Sequence, residues 1–367
     1  MVKKVPTISA MLGVLGLVSL VFGASGVSAQ KTPGEVKKFT WYMNVSEPGT
    51  VGFGSMSAIA DLATRTYPKY LEVLPTSVGG ATTTVKVWDR GQGHSCYNTL
   101  QHLWQVAVGK GPFEPKQYKF KRPGEFWQVL WMYPLIYFGM IRADDEGKIK
   151  NFSDFAGKRI FPTPPGFGSH EVFLAFFGPD GMNIRQTMQL KSMSVSGAAD
   201  NLKLGVMDIM WSYCDPGALV KWGKDADVRV GVAVVKPTAE ELKKGLAAGA
   251  WLLPYEVNPG PLFDSPKAKA TKPFKTVCMP FGIAAGKDVS DEHVYYLAKA
   301  AFEKRAELAK IMATFTDFAK NALEWNVEVF KMQSKPPISA PIHPGVALYL
   351  KEKGYDAKAL GILVGKR

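Results

Sequence analysis

The hydrophobic pattern divides the chain at its start. Lys3 and Lys4 precede an almost wholly apolar run from Ile8 to Phe22, and Val27-Ser28-Ala29 stands ahead of Gln30. A basic start, an apolar stretch below the ~20 residues of a membrane span and a small-x-small site form the layout of a secretory signal peptide. Residues 1–29 are therefore expected to be cleaved, placing the mature chain in the periplasm, and no Cys follows the site to carry a lipid. Beyond Gln30 the pattern alternates between strand and helix. Lys38 to Val45 is rich in aromatic and β-branched residues and reads as a strand; Pro48 to Gly54 is a Gly-rich loop. Ser55 to Tyr67 carries Ile59, Leu62 and Ala63 on one helical face. A strand at Tyr70 to Thr76, a turn at Val78-Gly79-Gly80 and a helix at Thr82 to Asp89 follow.

The alternation continues. Met132 to Ile141 reads as a long apolar strand ending in the charged turn Arg142 to Lys148, and Asn151 to Gly157 as a short polar helix. Arg159 to Pro162, Val206 to Tyr213, Arg229 to Val235 and Val277 to Ala285 read as further strands. A helix is expected to end over Asp200 to Gly205, and Pro254 to Pro273 reads as loop. Ser290 is an N-cap with Asp291 and Glu292 in the first turn, ahead of an apolar stripe of Val294, Leu297, Ala298, Ala301 and Phe302. Pro336 to Pro344 is extended, and Val346 to Lys353 is the last helix. Strand–helix alternation predicts an α/β fold with mostly parallel sheets flanked by helices. A chain of this length exceeds one ordinary core, so two lobes are expected. The aromatic segment Lys116 to Trp131 fits none of these elements; an inter-lobe cover and a partner surface are both open to it.

Composition adds exclusions. A hydrophobic content of 46% and a charged content of 21% describe a folded globular chain. The net charge of +13 is dispersed, and loss of Lys3 and Lys4 lowers it to +11. A nucleic-acid partner would need a basic face, which is absent from the pattern. Cys96, Cys214 and Cys278 are an odd number of thiols with no zinc spacing, and the five histidines form no H-E-x-x-H pair, so no metal or cofactor is expected. Ser169-His170-Glu171 holds triad residue types as sequence neighbours, which rarely have triad geometry, and no G-x-S-x-G elbow exists. The chain is expected not to be an enzyme.

Three loops share one design, in which a strand ends, small residues turn and a helix begins: Ser46 to Ser55, Ser77 to Thr84 and Thr163 to His170. Helix N-termini leave N–H groups unpaired and carry partial positive charge, so a carboxylate can dock there without a basic side chain. Candidate ligand-binding residues on these loops are Glu47, Phe53, Gly79, Gly80, Thr82, Thr83, Phe167, Gly168 and Ser169. Asn98, Thr99, Trp211, Ser212 and Tyr213 are added as walls near strand ends, where open α/β sheets bind ligands.

An ordered set of motifs now resembles the TAXI family of substrate-binding proteins of TRAP (tripartite ATP-independent periplasmic) transporters. They are Val78-Gly79-Gly80-Ala81, Gly109-Lys110-Gly111-Pro112-Phe113 and Leu130-Trp131-Met132-Tyr133-Pro134. Phe155 to Arg159 with Pro165 to Ser169, and Pro341-Ile342-His343-Pro344-Gly345 ahead of Tyr349 to Gly354, complete the set. The resemblance implies a two-lobed type II periplasmic-binding-protein fold with lobe 1 at 30–137 and 277–367 and lobe 2 at 138–276. It also implies a membrane permease partner and a small carboxylate ligand held by closure of a monomer. Ala81 and Phe167 stand where the family has Ser, and Thr99-Leu100-Gln101 where it has Q-S-D. Each change removes polarity or adds bulk, so the expected ligand is a carboxylate with an aromatic or bulky apolar body. The alternatives are an ABC-type or tricarboxylate-type binding protein and a sensor module.

Overall fold

Ten strands form one sheet: β1 (Phe39–Val45), β2 (Leu71–Ser77), β3 (Ser95–Thr99), β4 (Trp127–Arg142), β5 (Arg159–Phe161), β6 (Gln189–Leu190), β7 (Ile209–Cys214), β8 (Val232–Val235), β9 (Leu253–Val257) and β10 (Phe274–Ala285). The structure, a computed structural model, describes residues 36–165 and 167–367; the expected signal peptide and Gly166 lie outside them. The strand order is β2-β1-β3-β10-β4-β7-β5-β6, with β8 added to β4 and β9 to β10. In place of the expected mostly parallel sheets there is one mixed sheet: β1 runs parallel to β2 and β3, and β5 runs parallel to β6 and β7, while the other five pairings are antiparallel. Between the two parallel groups lie β4 and β10, antiparallel to each other and to their outer neighbours.

The local rules of the sequence explain the outer strands. In β1 every second residue, Trp41, Met43 and Val45, is buried, the period-2 pattern of a strand with one wet face. Strand β4 is different: from Trp127 to Ile141 all but one position is buried, because helices cover both faces. The helix Thr316–Gln333 clamps it: Asn326 accepts from Trp131 N at 2.7 Å and donates to Trp131 O at 2.9 Å, and Gln333 Oε1 accepts from the Trp131 indole at 2.9 Å. The helix Asp291–Glu303 starts at the Ser290 cap, whose Oγ accepts from His293 N, and it buries the expected stripe.

Several expectations shift: Pro336 to Ile338 is a turn and not extended chain, and the helix expected from Ser55 starts at Val51. The strand read from Arg229 begins at Val232, since Arg229 and Val230 close the helix Lys221–Val230 and Gly231 turns the chain at φ +75°. The proline-rich stretch from Pro254 contains β9, whose Pro254 stands opposite Val277 of β10. The helices Leu100–Val108, Ala239–Leu246 and Arg305–Ile311 were not legible in the periodicity.

The aromatic segment after Lys116 is a lid on one helix. Buried Asp89 ends the helix Ala81–Asp89 and accepts from Tyr118 Oη, Lys121 N and Arg122 N at 2.8–3.0 Å. Phe120 and Phe126 then pack with Trp88, Phe113 packs on Phe120, and the Arg122 guanidinium stacks over the Trp88 ring at 4.7 Å. The expected boundaries between the lobes fall inside β4 and β10, where Tyr137 and Val277 are register partners.

Candidate functional site

Phe281 of β10 is the point on which the three loops converge. Its ring stacks on Tyr133 (5.8 Å, 6°) and Tyr97 (5.4 Å, 26°), and the two tyrosine hydroxyls meet at 2.6 Å. The first loop reaches this stack through Gly52, in the helix Val51–Thr66: a Cβ there would stand 2.7 Å from the Tyr97 ring. The third loop reaches it through Gly168, where a Cβ would stand 3.1 Å from Met279 Cε and 3.9 Å from Phe281 Cζ. The second loop arrives by hydrogen bonds. Thr82 Oγ1 lies 3.1 Å from His102 Nε2, His102 Nδ1 lies 3.1 Å from Thr99 Oγ1, and Thr99 is the register partner of Phe281.

The hydrogen bonds fix the state of His102. Its Nδ1 accepts from Thr99 N at 3.1 Å, so the proton sits on Nε2 and is donated to Thr82 Oγ1. Complete burial lowers its pKa from 6.5 to about 3, keeping the ring neutral. Thr82 accepts from the ring, and its own hydroxyl proton remains to be donated elsewhere.

The helix starts differ in how their N–H groups are satisfied. Thr50 Oγ1 accepts from Phe53 N at 3.1 Å, and Thr99 with His102 forms a capping box on the helix Leu100–Val108. The helices Ala81–Asp89 and Gly168–Phe176 have Gly80 and Phe167 at the N-cap and no side-chain cap. At the second of these, Thr163 is held at φ +69°, a region a β-branched residue occupies only under strain of about 1–3 kcal/mol. Its Oγ1 meets Ser169 Oγ at 2.8 Å and its carbonyl accepts from His170 Nδ1 at 2.6 Å, so Ser169 and His170 serve the loop and do not face each other as a triad.

An aromatic wall stands beside that loop. Phe167 meets Trp222 edge-on at 6.1 Å, Trp222 meets Tyr213 at 5.3 Å and 89°, and Tyr213 meets Tyr137 at 5.6 Å. Phe167 is 37% exposed and Trp222 8%. The Trp222 indole N–H is buried without a partner in the protein, as is the Tyr137 hydroxyl. Burial raises the Tyr213 pKa, with the nearby Asp215 charge as the second cause, so the phenol stays protonated and able to donate. Asp215 itself is pushed up by burial while accepting from Gly217 N, Ala218 N and Thr314 Oγ1, each at 2.8 Å.

The expected site residues therefore fall into two groups. Phe53, Gly79, Gly80, Thr82, Thr83, Thr99, Phe167, Gly168, Ser169 and Tyr213 lie on the converging loops or the aromatic wall; Glu47 lies on the first loop, exposed to solvent. Trp211, Ser212 and Asn98 do not line it. Trp211 is buried among Phe152, Phe173, Phe177 and Tyr137. Ser212 Oγ faces the backbone of Gly223, where a Cβ would stand at 2.8 Å. Asn98 donates to Gln128 Oε1 at 2.8 Å inside the sheet. Sequence reading missed Tyr97, Tyr133, Phe281, Met279 and Trp222. Tyr133, Met279 and Phe281 sit in largely apolar strands that give no mark of which positions face a cleft, Tyr97 sits in the short strand β3 that was not read, and Trp222 sits in a helix that was not read.

Among the described residues no group of His, Cys, Asp and Glu could hold a metal ion, and all three cysteines are free and buried. Among them also, no helix is long and apolar enough to cross a membrane.

The strand order defines the class: an α/β fold in which one mixed sheet carries two groups of parallel strands on either side of the antiparallel β4–β10 pair. The chain belongs to the NMT1-like family, which matches residues 49–354. No curated protein matches it. Solved structures similar to it include the periplasmic aliphatic sulphonate binding protein SsuA from Escherichia coli, at 12% identity over 85% of this chain and 82% of that one (TM-score 0.41). MatC from Rhodopseudomonas palustris with bound malate is 14% identical over 77% and 89% (TM-score 0.43). A TctC solute binding protein from Polaromonas is 13% identical over 79% and 88% (TM-score 0.45).

Proposed function

We propose that this chain is an exported solute-binding protein that captures a small organic anion, a carboxylate with an aromatic or bulky apolar body, and hands it unchanged to a membrane permease. The observation that carries this reading is the pairing of two helix starts without side-chain caps with an aromatic wall whose buried indole N–H has no partner. Free N–H groups at Ala81 to Thr83 and at Gly168 suit a carboxylate. The rings of Phe167, Tyr213 and Trp222 suit a planar or bulky apolar body, and the Trp222 N–H and Thr82 hydroxyl supply donors at its edge. The lobes are residues 30–137 with 277–367 and residues 138–276, hinged where β4 and β10 cross between them. Closure over the ligand is the state a permease would read. The ordered motifs support a TRAP permease as the partner, and the N-terminal pattern supports the periplasm as the location.

A thermal-shift screen against aliphatic and aromatic organic acids tests this, since a ligand of the folded state alone raises Tm. A selective rise with bulky or aromatic carboxylates is expected. Glutamate or 2-oxoglutarate as the sole stabilisers would overturn the ligand class, and no rise with any acid, together with no anion released on denaturation, would overturn organic-anion capture.

A further inference from the structure

A concavity lies away from the converging loops. It encloses about 560 Å³ between the helix Ala239–Leu246 and the first residues of β10, with Leu242, Leu246 and Phe274 as its floor. Lys236, Lys243 and Lys275 stand on its rim, all three exposed. The volume is in the range of small-molecule sites, roughly 300–1,000 Å³.

The charges nearby leave those amines available. Glu241 is turned inward: it accepts from Thr238 N and Ser153 N, each at 2.7 Å, and bonds Ser153 Oγ. Glu240 pairs with Lys244, on the helix beside the groove, at 2.9 Å, and the Lys243 charge acts on it more weakly. Glu256 is the register partner of Lys275 across the β9–β10 ladder, and among the described residues no ion pair joins it or any other acid to Lys236, Lys243 or Lys275. The wall is also closely packed. Gly245 seats the helix on Phe176, whose ring lies 2.1 Å from where a Cβ would be. A fixed apolar floor with a cationic rim and no lining carboxylate is complementary to an amphiphilic anion.

We propose that this groove is a second binding site, for an amphiphilic carboxylate whose apolar chain covers Leu242, Leu246 and Phe274 while its head group sits among Lys236, Lys243 and Lys275. It does not depend on what the cleft binds. Titration calorimetry of the purified protein with decanoate, below its micelle-forming concentration, tests it. The triple variant Lys236→Gln/Lys243→Gln/Lys275→Gln changes only exposed side chains and should keep its Tm. It should bind decanoate about tenfold more weakly, as expected from losing three partly screened charge contacts. The lysine-dependent part of decanoate binding should remain in the cleft variant Phe167→Ala, whatever that variant loses in the cleft, and decanol should bind more weakly than decanoate. Equal decanoate affinity in the triple variant, or equal affinity for decanol, would overturn the proposal. Loss of decanoate binding in Phe167→Ala would overturn it by placing the anion in the cleft. Absence of decanoate binding, with transport lost in the triple variant, would overturn it in favour of a protein-docking surface.

Discussion

Trp222 is the residue on which ligand recognition most depends in this reading. Its indole N–H is buried without a partner and its ring holds Phe167 and Tyr213 in place. An unpaired buried donor costs about 1–3 kcal/mol, a cost that a ligand acceptor relieves. Trp222→Phe should therefore leave Tm unchanged or raised, while weakening the acid found in the thermal-shift screen by roughly tenfold, the worth of one hydrogen bond to a charged acceptor. Equal affinity in the variant would remove the indole from the site. Trp211, two positions before Tyr213, shows how little a residue type says by itself: it is sealed among phenylalanines. Titration at the residue scale is equally specific. His343 caps the helix Pro344–Glu352 through Nδ1, and burial lowers its pKa from 6.5 to about 4. The unfolded chain takes up the proton first. The stability held by the neutral ring is thus present above pH 6.5 and lost as pH falls towards 4, by roughly 3 kcal/mol over that window. Denaturant melts between pH 7 and pH 4 should show this slope, added to a like contribution from His102, and His343→Gln should flatten it. The terminal His-Pro-Gly motif is thereby explained as a helix start.

At the scale of elements, the segment from Lys116 to Trp131 and the helix Ala81–Asp89 form one unit around the buried Asp89 carboxylate. Asp89→Asn puts an NH2 group against the Lys121 and Arg122 N–H donors, and should cost about 1.5–3 kcal/mol by chemical denaturation. Because the same helix presents Gly80 and Thr82, ligand affinity should fall with it; a stable variant with unchanged affinity would uncouple the lid from the site. This unit was not legible in the sequence, since its centre is a polar residue whose partners lie about thirty positions away. The strand–turn–helix units β1 to Val51–Thr66 and β2 to Ala81–Asp89 were legible, because each is specified by period and by turn residues within one short window.

At the scale of the whole molecule, the loop after β7 is tied to the chain's return segment. Gly217 packs where a Cβ would stand 2.2 Å from the Ala313 carbonyl, and Asp215 accepts from Thr314 Oγ1. These contacts join the middle of the chain to its last third. Gly217→Val should push them apart, enlarge the radius of gyration in small-angle scattering and reduce the compaction caused by ligand. Unchanged scattering would show that the contact does not govern closure.

The sequence by itself determined the α/β class, most of the strands that run parallel, the helix cap at Ser290 and the three loops that bear helix starts. These follow from short-range causes: side-chain period, capping chemistry and the backbone freedom of glycine. Only the tertiary structure decided that β4 and β10 run side by side through the centre, that the loops meet at Phe281, and that Trp222 faces the site while Trp211 does not. In a strand such as β4, buried on both faces, nearly every position is apolar, so the sequence carries no mark of which face meets the core and which meets a ligand. That choice is made by strand pairing between residues more than a hundred positions apart, such as Phe281 and Tyr133.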